Sequence, residues 1–343
     1  MTITMSKSKF DHMAKVSNAQ GVIAAAAMDQ RGSLKKAIAK DKGVDPSAVT
    51  DAMMEEFKTA VTEVLSPHAS AMLLDPVWGL PAAKKCDTNC GLLLAYEESG
   101  YDNTKPGRLP DLLPTYSVKR LKDAGADCCK ILLYYTPFDP KEINDQKHAW
   151  VERIGAECEA EGLPFFLEFV GYPHNAMDEK SLDFAKLKPE IVRKSMEEFS
   201  KPQYRVDVLK VEFPVNMKFV ENTQSFAGKG VAYSRNDAIE LLKATAKVTT
   251  KPFIYLSAGV SDAEFRESLE MAVEAGVPFN GVLCGRATWK DGIPVYAKKG
   301  LAAFTAWLQD RGVKNIQALN GILEKGAKPW WTTYGGKEKI KVI

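Results

Sequence analysis

Ionisable side chains sit inside runs that are otherwise aliphatic or aromatic, where an unpaired charge is costly and so needs a partner or a task. The run Asp207-Val208-Leu209-Lys210-Val211-Glu212-Phe213-Pro214 carries a lysine among Val and Leu. Strand alternation puts Val208, Lys210 and Glu212 on one face and Asp207, Leu209, Val211 and Phe213 on the other. Desolvation there disfavours the ammonium form and lowers its pKa, and a neutral amine is what attack on a carbonyl carbon requires. The same run also fits a structural lysine neutralised by Glu212. A second lysine, Lys130, lies early in Cys128-Cys129-Lys130-Ile131-Leu132-Leu133-Tyr134-Tyr135 and faces the same way as Leu132 and Tyr134. Two cations converging in one interior depress each other's pKa, leaving one as nucleophile and the other as fixed cation. These patterns leave open which lysine is which. Glu168, in Phe165-Phe166-Leu167-Glu168-Phe169-Val170, is suited to a raised pKa and proton shuttling, and also to a salt bridge with a lysine on a neighbouring strand. Asp29 and Asp75, at the ends of two earlier runs, complete the set, although Asp75-Pro76 also reads as a turn.

A different chemistry is written into two later runs, Tyr255-Leu256-Ser257-Ala258-Gly259-Val260-Ser261 and Leu283-Cys284-Gly285-Arg286-Ala287. Gly259 and Gly285 permit close backbone approach and Arg286 can grip a phosphate with two donors, the arrangement common after the last two strands of a (β/α)8 barrel. Arg31, after the first run, is placed to meet a second phosphate. Metal chemistry has little support. His12, His68, His148 and His174 do not cluster, and Cys86 and Cys90 approach ligand spacing with no second pair to complete a zinc site.

The elements that must position these residues follow from hydrophobic patterning. Runs that predict strands are Val22–Asp29, Ala71–Asp75, Gly91–Tyr96, Cys129–Tyr135, Pro164–Val170, Val206–Pro214, Pro252–Ala258 and Gly281–Arg286, apolar throughout as strands buried on both faces are. Between them, amphipathic spacing predicts helices at Val49–Leu65, Ser117–Ala124, Asp145–Glu161, Lys186–Phe199, Ser234–Lys247 and Asp262–Ala275, and after them at Ala297–Gln309 and Ile316–Glu324. Only a turn or two of helix fits between Pro76 and Cys90. The pattern argues for an α/β fold, a (β/α)8 barrel in one domain spanning 1–343, with a helical extension over 1–20 and C-terminal helices and tail over 290–343. The alternative, a doubly wound open sheet, wants a glycine-rich first turn, and Met28-Asp29-Gln30-Arg31-Gly32-Ser33 is not one.

Composition narrows the function classes. Of 343 residues, 46 are Lys or Arg and 44 Asp or Glu, a difference of +2 that favours neither nucleic acid nor an acidic membrane. The longest uncharged apolar stretch, Gly21 to Met28, is far below a membrane span. The N-terminus lacks the apolar core of a secretory signal, and scattered cysteines fit a reduced compartment, so a cytoplasmic protein is expected.

Taken together, Ala27-Met28-Asp29-Gln30-Arg31-Gly32, Leu73-Leu74-Asp75-Pro76, Gly91-Leu92-Leu93-Leu94-Ala95-Tyr96-Glu97, the lysine-bearing runs around Lys130 and Lys210, Tyr255-Leu256-Ser257-Ala258-Gly259-Val260 and Gly281-Val282-Leu283-Cys284-Gly285-Arg286-Ala287-Thr288-Trp289 resemble the class I tagatose 1,6-bisphosphate aldolase family, from about Met1 to about Lys325. The resemblance implies a metal-independent (β/α)8 aldolase without cofactor that splits ketohexose 1,6-bisphosphates into dihydroxyacetone phosphate and glyceraldehyde 3-phosphate. It implies that Lys210 forms the Schiff base, that Glu168 is the acid/base, that Asp29, Gln30 and Lys130 support them, and that Ser257, Gly259, Gly285 and Arg286 contact phosphate. Arg31 and Asp75 join the expected substrate contacts, and a homo-oligomer is expected. Departures from the family lie in loops, at Trp78 and Cys86–Cys90, at Thr136–Glu142 and beyond Pro329. Because such loops set substrate choice, an aldolase for another ketose phosphate, such as a sulfonated one, and a non-catalytic sugar-phosphate sensor are the competing readings.

Overall fold

The computed structural model describes residues 3–99, 104–175 and 177–343, so residues 1 and 2 of the expected N-terminal extension lie outside the described residues. Eight parallel strands form a closed barrel in sequence order: β1 (Ile23–Ala27), β2 (Ala71–Leu74), β3 (Gly91–Ala95), β4 (Cys128–Tyr135), β5 (Phe165–Gly171), β6 (Val208–Glu212), β7 (Phe253–Leu256) and β8 (Gly281–Cys284). Each falls inside, or within one residue of, a run whose patterning predicts a strand. The runs overshoot the ladders because residues just beyond a strand end, such as Met28, Val206 and Phe213, are buried too. The seam closes where β1 pairs with β8, with Ile23 opposite Gly281. Gly281 has φ of 136°, and a Cβ there would fall 1.9 Å from the Ile23 carbonyl oxygen, so only glycine fits the seam.

Alternation divides the apolar residues into two cores. Ala25, Ala27, Leu93, Ala95, Cys128, Phe166, Val208, Ile254 and Leu283 fill the barrel interior. Ala24, Leu94, Cys129, Ile131, Leu167, Leu209 and Val282 face outward against the helices. The adjacent thiols of Cys128 and Cys129 thus enter different cores, as a period of two requires.

The expected helices are present, and their starts are set by caps. Thr50, Ser181, Ser234 and Ser261 accept from backbone N–H groups three residues on, opening the helices Asp51–Leu65, Leu182–Phe199, Arg235–Ala246 and Asp262–Glu274. A helix at Gly32–Lys42 was not expected. It begins on a glycine with no side-chain cap, and it is held by burial of Leu34, Ile38 and Ala39 and by Gly43 in the left-handed conformation at its end. The short helix Leu80–Ala83 fills the tight connection after β2.

The termini depart most from expectation. The N-terminal extension is a strand, Ile3–Met5, followed by the helix Lys7–Lys15, and the strand pairs in parallel with Ile340–Val342 at the other end of the chain. Partners so distant in sequence leave no local signal. Trp330 is 1% exposed and meets Phe10 edge-on, so the tryptophan is a packing residue beneath the barrel. Asp127 and Asp207, just before β4 and β6, tie this end to the N-terminal helix: Asp127 accepts from Lys15 and contacts His12, and Asp207 accepts from Lys9. Replacing the buried indole by Trp330→Ala is expected to cost about 3–5 kcal/mol, read as a lower denaturant midpoint; a change under about 1 kcal/mol would show that the tail is not part of the folded unit.

Candidate active site

Following the interior face of each strand one step past the aliphatic residues reaches a layer of charge. Cys128 leads to Lys130, Phe166 to Glu168, Val208 to Lys210, Ala95 to Glu97 and Ala27 to Asp29, so one alternation rule delivers five ionisable groups to the C-terminal mouth of the barrel. The register brings them together. Glu168 is the direct partner of Lys210 across β5 and β6, and of Leu132 across β4 and β5, while Lys130 is the partner of Ala95 on β3.

Glu168 is the hub. Its Oε2 lies 2.8 Å from the Lys210 Nζ and 2.8 Å from the Lys130 Nζ. Lys130 also donates to Asp29 Oδ2 at 2.8 Å and to Glu97 Oε1 at 2.9 Å. Lys130 and Lys210 are 1% and 3% exposed, so water does little of the solvation here and the groups solvate one another. The Glu212 pairing considered for Lys210 does not occur. Glu212 is taken by Lys188 at 3.2 Å and accepts from the Gly171 N–H at 2.7 Å.

These contacts set the protonation states. Burial would lower the Lys130 pKa, but Asp29, Glu168 and Glu97 outweigh it and hold the group well above the ordinary lysine range, as a fixed cation requires. Burial would raise the Glu168 pKa, yet Lys130 and Lys210 bring it below the ordinary glutamate value. The expectation of a raised Glu168 pKa is therefore overturned: two ammonium groups outweigh desolvation. Asp29 is lowered for the same reason, burial being outweighed by Lys130 and Lys210. Glu97 goes the other way, because its burial outweighs the attraction of Lys130 and Arg31.

A cleft of about 630 Å³ opens over this layer, and Lys210, Glu168, Gln30, Tyr134, Ser257 and Arg286 are among its lining. Lys130, 1% exposed, stands behind that lining. Gln30 belongs to the lining, and its Oε1 is buried without a hydrogen-bond partner. Gly259 and Gly285 are also in the lining. Ala258 and Gly259 both have positive φ, 47° and 77°, a turn of the kind that builds concave N–H pockets for anions. A Cβ on Gly259 would lie 2.8 Å from the Arg286 guanidinium carbon, so glycine lets the arginine lie across the turn. Lys290 donates to the Gly259 and Val260 carbonyls at 2.9 Å, fixing the loop from behind.

Two expected substrate contacts are elsewhere. Arg31, 6% exposed, donates to the Glu97 carbonyl at 2.6 Å and lies 3.7 Å from the Glu97 carboxylate, because that buried acid requires a second cation. Asp75 has no exposure. It pairs with Lys58 at 2.6 Å and accepts from the Val77 and Trp78 N–H groups, combining the turn role with an ion pair. Lys58 also donates at 2.7 Å to the carbonyls of Met28 and Gln30, on either side of Asp29. Lys58 and Glu97 are the residues that sequence reading missed. A signal existed for Lys58, which lies four residues after Met54 and three before Val61, inside the apolar stripe of its helix. For Glu97 the signal was its place two residues beyond interior Ala95.

Residues 23–291 match a family model described as DeoC/LacD family aldolase. Among curated proteins, the chain is 49% identical over 341 residues to the tagatose 1,6-diphosphate aldolase of Listeria monocytogenes serotype 4a (strain HCC23), covering 99% of each. It is 52% identical over 328 residues to tagatose 1,6-diphosphate aldolase 2 of Enterococcus faecalis (strain ATCC 700802 / V583), covering 96% of this chain and 97% of that protein. Among solved structures, a Schiff-base-forming fructose-1,6-bisphosphate aldolase superposes with a TM-score of 0.55 at 14% identity, over 91% of this chain and 98% of its own.

The charge layer makes two demands on stability. Lys58→Met leaves Asp75 as an unpaired buried carboxylate and is expected to cost about 3–5 kcal/mol by urea denaturation, most of it recovered in Lys58→Met/Asp75→Leu; equal losses in the single and double variants would sink the account. For Asp29 and Glu168, the folded state binds a proton less tightly than the unfolded one. Their contribution is thus complete above the ordinary carboxylate values of about 4 and is lost as pH falls toward their lower folded values. Asp29→Asn should accordingly show a shallower decline in stability below about pH 5 than the parent chain.

Proposed function

The chain belongs to the DeoC/LacD family of aldolases, and we propose that it is a metal-independent Schiff-base aldolase that cleaves tagatose 1,6-bisphosphate to dihydroxyacetone phosphate and glyceraldehyde 3-phosphate. The observation that carries the reading is the asymmetry of the two lysines. Lys210 faces the cleft with the Glu168 carboxylate 2.8 Å away, whereas Lys130 is locked among Asp29, Glu97 and Glu168 behind the lining. Lys210 is the amine free to meet a carbonyl, and Lys130 is the cation that stays. The substrate follows from the two relatives named above.

In this mechanism the Lys210 ammonium first gives a proton to the Glu168 carboxylate 2.8 Å away. The neutral Nζ then attacks the C2 ketone of the open-chain sugar, its N–H proton moving to the new alkoxide as the carbinolamine forms. Neutralising Lys210 removes one of the two cations that hold Glu168 down, so the carboxylate becomes more basic at the moment it must accept. Glu168 then protonates the departing hydroxyl as the carbinolamine loses water, leaving an iminium. Returned to its anionic form, Glu168 takes the C4 hydroxyl proton. The C3–C4 bond breaks, its electron pair enters the iminium to form an enamine, and glyceraldehyde 3-phosphate leaves. Protonation at C3 and hydrolysis release dihydroxyacetone phosphate and restore Lys210. Lys130 keeps Glu168 oriented through the 2.8 Å contact, with Asp29 holding Lys130 in turn. Gln30 would accept from a sugar hydroxyl, and Ser257, Gly259, Gly285 and Arg286 would hold the phosphate nearest the ketone.

A homo-oligomer and a cytoplasmic location belong to the same proposal. The six cysteines are free, as a reducing compartment leaves them, and no helix among the described residues is long and apolar enough to cross a membrane. The proposal also takes the whole chain as one domain, in keeping with the pairing of its two ends.

Borohydride with dihydroxyacetone phosphate should attach the three-carbon unit covalently to Lys210, located by peptide mass, and Lys210→Arg should abolish both adduct and cleavage. Glu168→Gln should lower kcat by about 10²–10⁴-fold. Chelators should leave turnover of tagatose 1,6-bisphosphate unchanged. An adduct on Lys130 would reverse the roles of the lysines, and loss of activity to a chelator would overturn the class.

A further inference from the structure

The barrel carries a second reactive cluster at the end opposite the cleft. Cys86 and Cys90 sit four residues apart on the connection that leads into β3, and both line the same cavity. The turn between them is fixed: the Asp87 N–H donates to Ser66 Oγ at 2.9 Å, the Asn89 N–H to Asp87 Oδ1 at 2.9 Å, and the Cys90 N–H to the Asp87 carbonyl at 3.0 Å. Both cysteines line a cavity of about 480 Å³ whose wall includes Lys15, Lys84, Thr88 and Asp127. A metal does not suit the pair, because no group of three or more His, Cys, Asp or Glu able to hold one occurs among the described residues.

We propose that Cys86 and Cys90 form a hydroperoxide-sensitive dithiol, with Cys86 as the attacking sulfur and Cys90 as the resolving one, closing to a reversible disulfide. The asymmetry supports the order. Both thiols line the cavity, but Cys86 is half-buried while Cys90 is 6% exposed and belongs to the core. The neighbouring Cys90 and Ser66 bring the Cys86 thiol below the ordinary cysteine value against burial, whereas the Cys86 sulfur beside it and burial push Cys90 well above that value. In the first step the Cys86 thiolate attacks one peroxide oxygen, the O–O bond breaks, and hydroxide leaves, giving a sulfenic acid. In the second the Cys90 sulfur attacks the Cys86 sulfur, the S–O bond breaks, and the Cys90 proton departs with the oxygen as water. The sum is two thiols and one hydrogen peroxide giving one disulfide and two waters, so the oxidant supplies both electron equivalents.

The protein contains its own control. Cys129 and Cys158 are also neighbours, burial and the Cys158 thiol together raising the Cys129 pKa, but both are wholly buried between the barrel and its helices. If proximity alone sufficed, both pairs would cross-link; access to the cavity distinguishes them.

The test treats the intact full-length protein with hydrogen peroxide, blocks remaining thiols under denaturing conditions, and reads the peptides by mass. The peptides holding Cys86 and Cys90 are expected to become linked with loss of two hydrogens. They should become alkylatable again after reduction, and link at least about tenfold faster than Cys128, Cys129, Cys158 or Cys284 react. In Cys90→Ser, Cys86 should stop at a sulfenic acid captured by a dimedone-type reagent, whereas in Cys86→Ser, Cys90 should stay a thiol; both variants should keep the parent's aldol cleavage rate. Direct overoxidation of Cys86 without linkage, or equal cross-linking of Cys129 with Cys158, would overturn the proposal. The outcome is independent of the aldolase assignment.

Discussion

One carboxylate oxygen shared by two ammonium groups organises this molecule. The Glu168 Oε2 contacts Lys130 and Lys210 at the same 2.8 Å. Two buried cations this close together need an anion between them, because without it each would raise the cost of the other. The arrangement in turn requires further anions for Lys130, supplied by Asp29 and Glu97, and a second cation for Glu97, supplied by Arg31. The mouth of the barrel is thus a closed electrostatic network in which each member answers another's desolvation.

That network can exist because the barrel sorts residues by parity. Each interior position is two residues from the next, so a strand contributes one side chain to each layer. Aliphatic layers below exclude water and a charged layer above faces the cleft. Small residues make room for the long ones: Ala27 and Ala95 lie directly beneath Asp29 and Glu97 on their strands. Behind the layer, the ion pair of Lys58 and Asp75 pins the Met28 and Gln30 carbonyls, so the loop carrying Asp29 is held by a charge that never meets solvent. Support of this kind keeps a carboxylate on its lysine without a substrate to organise it.

Rigid chemistry at one end contrasts with the other. The β7 and β8 loops rely on backbone, with left-handed Ala258 and Gly259 and an exposed Arg286 lying across them. The far end is closed by the termini, where Trp330, Phe10 and the paired strands Ile3–Met5 and Ile340–Val342 seal the aliphatic layers. Charged anchors at Asp127 and Asp207 fasten the first helix beneath the strands. Function and closure are therefore assigned to opposite ends of one barrel, with the thiol pair on the closed side.

Much of this was legible in the residues themselves. Apolar runs at strand length marked all eight strands, and the intrusion of Lys130, Glu168 and Lys210 into them marked the charge layer, since alternation is local and needs no partner. What the sequence could not disclose was who pairs with whom. Glu212 lies two residues from Lys210 on the same face, yet the partner is Glu168, forty-two positions away, because strand register sets Nζ against it while Lys188 takes Glu212. For the same reason the direction of the Glu168 shift, the burial of Arg31 and Asp75, and the joining of the two chain ends belonged to the tertiary structure alone. Residue type and spacing determine which groups enter the interior; only the closure of the barrel determines their distances, and electrostatic energy depends on distance.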